Sequence, residues 1–484
     1  MNPRPSAILA AAACAAALAA GCATNPVTGG ADFVMMTEEQ ELSLGRKADA
    51  EVRKQYGVYE DAALQAYLNR VGQKLARASH RPGISYRFTV VDSPEINAFA
   101  LPGGYVYVTR GILPYLESEA ELAAVVGHEL GHVTARHGVR QQSAAMATGL
   151  GVSVLGAAIP GLGGSVAQNV ADVISTAVLS SYGRDQELEA DRLGAQYLAR
   201  TGYDPQAMIR VVEVLKNQEL FDAEVAKKEG REPRAYRGLF ASHPDNETRL
   251  KEVVGEASKL ARGGGFEGEA EYRKAIDGIV WGDSPQQGIV RGNSFYHAEL
   301  GFALSFPRDW RLKNGPARVQ AASPAKDALM ELGLAGKAQG SPAESLRKLA
   351  KLAPGEAVDA TPINGLPAAS VTVQRSGRPV RAALVQLGGN NYLIAGTAKD
   401  AAAFQRYGAD ISAAIRSIHP ITEAERKLAR PLALRIARAS KGDTYAGLAG
   451  RSPLGPNAEG YLRLINGAYP RGEPVDGQPL RVVE

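Results

Sequence analysis

The chain has 484 residues, 45% of them hydrophobic and 22% charged, enough for two to four domains with at least one large core. Its net charge of +4 is small and spread along the length, so it leaves no footprint for nucleic acid. The only cysteines are Cys14 and Cys22, so a chain processed near residue 22 has no disulfide framework, thiolate zinc site or cysteine nucleophile, and any metal site must use His, Asp and Glu.

Arg4 is the only charge before Asp32. The Ala-rich apolar run 7–20 that follows reads, with small residues up to Cys22, as a secretory signal over 1–21. It is short for a transmembrane helix. Small residues ending at a cysteine resemble the bacterial lipobox, although Ala19 stands where Leu is usual and Leu18 lies one place earlier. That resemblance implies a lipid on Cys22, and Ala23, in place of Asp, implies sorting to the outer membrane. An ordinary signal peptide cut elsewhere is the plainer alternative. Residues 22–36, with turn formers from Asn25 to Gly30, read as a tether.

Helical patterns begin at Thr37, which with Gln40 makes a capping box ahead of Leu42, Leu44 and Val52. A second helix is expected over 62–78, with Leu64, Leu68, Val71 and Leu75 on one face. Residues 86–91 and 105–109 alternate as strands, the second after the turn Pro102-Gly103-Gly104. Residues 117–139 read as one long helix, boxed by Ser118 and Glu121 and buried through Leu122, Val125, Val126 and Val133. The Gly/Ala/Val-rich stretch 143–181 reads as a helical hairpin over the core, or as a lid or membrane-facing element. Pro160, Gly161, Gly163 and Gly164 divide it into halves too short to span a bilayer. A helix over 184–200, stopped by Gly202 and Pro205, and further helices to about Leu260 precede Gly263-Gly264-Gly265.

The chemistry concentrates at His128-Glu129-Leu130-Gly131-His132. Histidines at i and i+4 share one helical face, so both imidazoles can reach one ion, and Glu129 sits where it can take a proton from a bound water. Two nitrogens and a carboxylate, with a fourth position open, suit Zn2+. Chance also produces this pattern on amphipathic helices. His137, five residues past His132, would lie about 140° around a continuous helix, away from the ion, which reads as a surface or second-layer histidine. Glu187 and Asp191 share a helical face, with Glu189 on about the opposite side. Glu187 is therefore the candidate third ligand, and Asp191 the candidate acceptor for a ligand histidine's other ring nitrogen. A charged helix surface is the alternative.

These two helices, with Asn97-Ala98-Phe99-Ala100-Leu101-Pro102-Gly103-Gly104 upstream, resemble the HtpX/BepA/Oma-type zinc metallopeptidases, which are gluzincins. The resemblance covers about 37–250 and is strongest to the periplasmic, BepA-like branch. It implies a mainly α protease domain with a small β-sheet, over 37–265, and an edge strand at Asn97, Ala98, Phe99 and Ala100 that binds extended protein or peptide substrates by backbone pairing. It also implies that His243, followed by Pro244, and Arg249 stabilise the oxyanion, or that His243 caps the zinc at rest; Ser242 to Asp245 alone could simply start a helix.

No tetratricopeptide repeat follows. Residues 266–425 read as an α+β accessory domain, with strands near 301–306, 368–374, 381–386 and 392–397 and helices near 342–352 and 401–416. Residues 430–484 resemble a LysM module, a small βααβ unit that grips glycans, which implies peptidoglycan as a partner; a structural cap is the alternative. His80, His297 and His419 carry no motif. The functional expectation is a zinc endopeptidase at the periplasmic face of the outer membrane, held by its lipid and acting on unfolded or misassembled envelope proteins. The competing expectations are a lipid-anchored chaperone or assembly factor with structural zinc, and a peptidoglycan-binding envelope protein.

Overall fold

The computed structural model describes residues 22–147, 174, 182–230, 246–260 and 264–484. The expected signal 1–21, nearly all of the Gly/Ala/Val-rich stretch and His243 lie outside the described residues. The chain forms two units: Met1–Arg53 with Gly57–Ile279 and Ala433–Glu484, and Lys54–Tyr56 with Val280–Leu432.

In the first unit, β1 (Cys22–Thr24) and β2 (Ala31–Phe33) pair antiparallel, so the segment expected as a tether folds into a hairpin. Asn25 closes the turn: its side-chain oxygen accepts from the Val27 and Thr28 amides at 2.8 and 3.0 Å. Helix α1 (Glu38–Tyr56) starts with both halves of the Thr37–Gln40 capping box in place. Helix α2 (Ala62–Arg77) is capped by Asp61 and buries Leu64, Leu68, Val71 and Leu75. Three strands follow, β3 (Arg87–Val91), β4 (Ala98–Leu101) and β5 (Tyr105–Thr109), in the order β3-β5-β4. β3 runs parallel to β5 and β4 antiparallel to it, which puts β4 at one end of the sheet.

The next helix, α3 (Glu119–Thr134), is buried at every position. It does not run on to Val139 as its sequence suggests. Arg136 takes φ 56, and a new helix, α4, begins at His137 and extends to Ala147. Left-handed backbone is strained for a residue with a Cβ. An ion cluster at the buried Glu41 offsets that strain. The Arg136 Nε–H donates to Glu41 at 2.9 Å, and Arg81 donates both to Glu41 at 2.8 Å and to the Val133 carbonyl at 3.2 Å. That carbonyl also accepts from the Arg136 N–H at 3.2 Å, so Arg81 reinforces a helix end that is already paired.

Helix α5 (Arg184–Thr201) ends at Gly202 in the left-handed conformation, and α6 (Ala207–Lys228), α7 (Asn246–Leu260) and α8 (Glu269–Ile276) follow. The α3–α5 contact is unusually close. A Cβ at Gly131 would lie 2.8 Å from the Ala190 Cα, and one at Gly127 would lie 3.3 Å from the Gly194 Cα. Only small residues permit that approach.

Residues 433–484 also pack in this unit. β6 (Leu432–Arg438), α9 (Tyr445–Ala449), α10 (Ala458–Ile465) and β7 (Pro479–Val483) succeed one another, and β6 and β7 pair antiparallel. Arg481 donates to the Leu116 carbonyl at 2.9 Å and to the Glu117 carboxylate, just before Ser118, which caps α3. Phe221 meets Tyr461 and Tyr469 edge-on.

The second unit holds a six-stranded antiparallel sheet, in the order 311–314, 318–322, 328–337, 390–398, 378–387 and 368–375, and a four-stranded sheet of 289–291, 294–297, 302–305 and 419–420. Its core gathers Phe302, Trp310, Ile394, Ile411 and Ile415, the last two from the helix Ala401–Arg416.

Two outcomes test this packing. Gly131→Leu should lower unfolding free energy by about 3 kcal/mol, read by denaturant titration, because backbone and not a movable side chain faces the added atoms. Burial depresses the His297 imidazole to about 4 from an ordinary 6.5. The unfolded chain therefore takes up that proton first, and stability should fall as pH drops from about 6.5 through about 4. His297→Phe should flatten that part of a melting-temperature profile.

Candidate metal centre

The close α3–α5 packing sets one face of each helix against the other. His128 and His132 stand one turn apart on α3, and Glu187 comes from the first turn of α5. The imidazole Nε2 atoms approach to 3.0 Å, and each lies 3.6 Å from a Glu187 oxygen. One donor atom from each of the three falls within 4.8 Å of the others. All three side chains are buried.

The outer ring nitrogens explain the facing of the inner ones. The His128 Nδ1–H donates to Asp191 Oδ1 at 2.7 Å, and His132 Nδ1 lies 2.9 Å from His137 Nδ1. With the proton on Nδ1, each neutral ring turns an Nε2 lone pair toward the other, beside a carboxylate. Three electron-rich atoms pointing at one spot repel each other unless a cation stands between them. The donor set of two imidazoles and one carboxylate suits a divalent transition-metal ion, with room in its coordination for a further ligand.

Electrostatics tighten the site. Burial, and then the charge of Glu187, push the Glu129 carboxyl well above the usual carboxylate range. Burial raises Glu187 to about 7 against the opposing pull of Arg249 and His128. Burial acts on Asp191 in the same sense, yet Arg249 and His128 together outweigh it and hold that carboxyl well below the usual range. The Arg249 Nε–H and Nη2–H both donate to Asp191 at 2.7 Å, and Nη1 lies 3.4 Å from Glu187. Its guanidinium thus engages the two α5 carboxylates rather than standing open toward a substrate.

Other expected residues fall as follows. Asn97 precedes β4, and its backbone N–H donates to Thr109 Oγ1 at 3.0 Å, while Ala98, Phe99 and Ala100 lie in β4 and are buried. Cys22 begins β1. His243 lies outside the described residues. Sequence reasoning left His137 as a surface or second-layer histidine and gave no site role to Glu189 or Tyr182; the structure puts all three beside the centre. His137 is fully buried and contacts His132, where rotation along an unbroken helix would carry it away. Its Nε2–H donates to Glu189 Oε2 at 3.1 Å, and the Tyr182 ring stacks on His132 at 4.0 Å.

Residues 62–257 match the model of peptidase family M48. The chain is 31% identical over 227 residues to the "Beta-barrel assembly-enhancing protease" of Escherichia coli (strain K12), covering 46% of this chain and 44% of that protein. It is 34% identical over 179 residues to the "Putative beta-barrel assembly-enhancing protease" of Vibrio cholerae, covering 36% and 37%. It is 29% identical over 234 residues to the "Mitochondrial metalloendopeptidase OMA1" of Schizosaccharomyces pombe, covering 47% and 64%. The chain spans under half the length of the bacterial relatives it matches.

The buried charges give a direct test. Arg249→Met should cost the metal-free protein about 3–5 kcal/mol by denaturant titration, because it strands Asp191 and Glu187 without their cation. Adding Asp191→Asn should recover part of that loss, and purely additive effects would contradict the ion-pair account.

Proposed function

We propose that this chain, whose residues 62–257 match peptidase family M48, is a zinc-dependent endopeptidase of the bacterial cell envelope that cleaves unfolded or misassembled envelope proteins. The observation that carries the reading is the convergence of His128, His132 and Glu187 with the buried Glu129 adjoining them on α3. Bacterial relatives named as β-barrel assembly-enhancing proteases support the quality-control role.

Zinc held by His128, His132 and Glu187 would supply Lewis-acid activation of water and of the scissile carbonyl. Glu129 accepts the proton of the attacking water and returns it to the leaving amine. Asp191 fixes the His128 ring so that Nε2 faces the centre. Arg249 keeps Asp191 ionised and, 3.4 Å from Glu187, offsets the negative charge of the centre. His243 donates to that oxyanion, a contribution of about 2.7–4 kcal/mol for a donor of this kind. The end strand β4, entered through Asn97, takes an extended substrate by backbone pairing.

Among the described residues no helix is long and apolar enough to cross a membrane. A lipid on Cys22 is the attachment we favour, at the periplasmic face of the outer membrane. Residues 430–484, with their strand–helix–helix–strand order, are the segment we assign to peptidoglycan.

Glu129→Gln should lower casein cleavage by at least about 100-fold while one zinc stays bound, measured by metal analysis of the purified protein. Chelation should silence the unaltered chain, and added zinc should restore it. Undiminished cleavage by Glu129→Gln would sink the mechanism.

A further inference from the structure

Each of the two imidazoles at the centre has a partner on its outer nitrogen, and the partners differ. For His128 it is Asp191, a carboxylate on α5 at 2.7 Å. For His132 it is another imidazole, His137, which in turn meets Glu189 on α5 at 3.1 Å. His137 is fully buried, and the Glu189 carboxylate lies 3.6 Å from Arg140.

The protons in this chain of contacts have only one self-consistent order. His132 turns Nε2 inward, to within 3.0 Å of the His128 Nε2 and 3.6 Å of Glu187, so Nε2 must carry a lone pair if it binds an ion. The His132 proton then sits on Nδ1 and donates to His137 Nδ1. His137 must accept there, so its own proton is on Nε2, and that N–H donates to the Glu189 carboxylate. A reversed order would put a proton on the inward nitrogen of His132. Glu189 sets the direction because an ionised carboxylate only accepts.

We propose that His137 and Glu189 are positioning residues that fix the orientation and tautomer of His132 as a metal ligand, so that both histidines of the centre are braced by α5 carboxylates, one directly and one through an intervening imidazole. The inference rests on the metal-centre reading above and deepens it. Tyr182, stacked on the His132 ring at 4.0 Å, restricts the remaining rotation of that ring.

The helix break makes the relay possible. In an unbroken helix His137 would point away from His132; with Arg136 at φ 56 the chain restarts at His137, and the ring turns back. Outer partners of ligand histidines typically change metal affinity by about 10- to 100-fold when removed.

The test is zinc affinity, measured on the full chain by competition with a chromophoric chelator, alongside melting of the metal-free protein. His137→Phe keeps ring volume and removes the acceptor, and should weaken zinc binding by about 10- to 100-fold. His137→Asn restores an oxygen near the position of Nδ1 and should regain most of that affinity. Glu189→Ala should weaken zinc binding several-fold in the native background and have no further effect in His137→Phe, because the two act in series. If the unaltered chain binds zinc tightly and His137→Phe binds it equally well, the relay is wrong while the metal centre stands. Equal losses in the Phe and Asn variants would also overturn it, because packing and not the hydrogen bond would then be at work. If the unaltered chain takes up no zinc, the metal-centre reading fails, and the relay with it.

Discussion

The approach of α3 to α5 is the constraint on which the rest of the site depends. Gly127, Gly131, Ala190 and Gly194 leave almost no side-chain volume between the two helices, so backbone meets backbone. That brings carboxylates of α5 within reach of imidazoles on α3 without long or mobile side chains. A histidine and a glutamate held on rigid helices keep their geometry to within the small tolerance that metal ligation demands. Larger residues at the contact would separate the groups before any of them changed chemically.

Such proximity has an electrostatic cost. Glu129, Glu187 and Asp191 gather in a buried pocket, and burial favours the neutral form of each. Arg249 offsets part of this by pairing with Asp191 and lying beside Glu187, so one carboxylate stays firmly ionised while the other two hold protons more readily. A divalent ion at the two facing imidazole nitrogens would relieve the remainder. A similar economy operates at Glu41, whose carboxylate binds Arg81 and Arg136 and stabilises the backbone turn that ends α3.

Much of this was legible in the sequence because it is written in local spacing. The i, i+4 pairs His128/His132 and Glu187/Asp191 specify their helix faces, and the Thr37 box and the stop at Gly202 are short-range signals read with no knowledge of the fold. What escaped was set by distant partners. The break at Arg136 depends on Glu41, almost a hundred residues upstream, and a continuous helix left His137 undecided between a surface and a second-layer place. Glu189 looked like solvent-facing charge because its partner arrives only through that break. In the second unit, strands 311–314, 318–322 and 328–337 carry Lys313, Arg318, Glu331 and Gly333, which weaken the strand pattern, and their pairing supplies the order instead. The hairpin at β1 and β2 rests on the side chain of Asn25 in a segment whose composition reads as linker.

The grip of Arg481 on Leu116 and Glu117 bears on how the molecule is made. The first unit is discontinuous, with Val280–Leu432 inserted between its Gly57–Ile279 and Ala433–Glu484 segments. A chain emerging from its N-terminus presents α3 and α5 long before Arg481 exists. The whole inserted unit must be synthesised before the segment that anchors the start of α3 can arrive. Assembly is therefore ordered in time: the helix bearing His128, Glu129 and His132 gains its last support only after the second unit has emerged, and a nascent chain carries an unfinished centre.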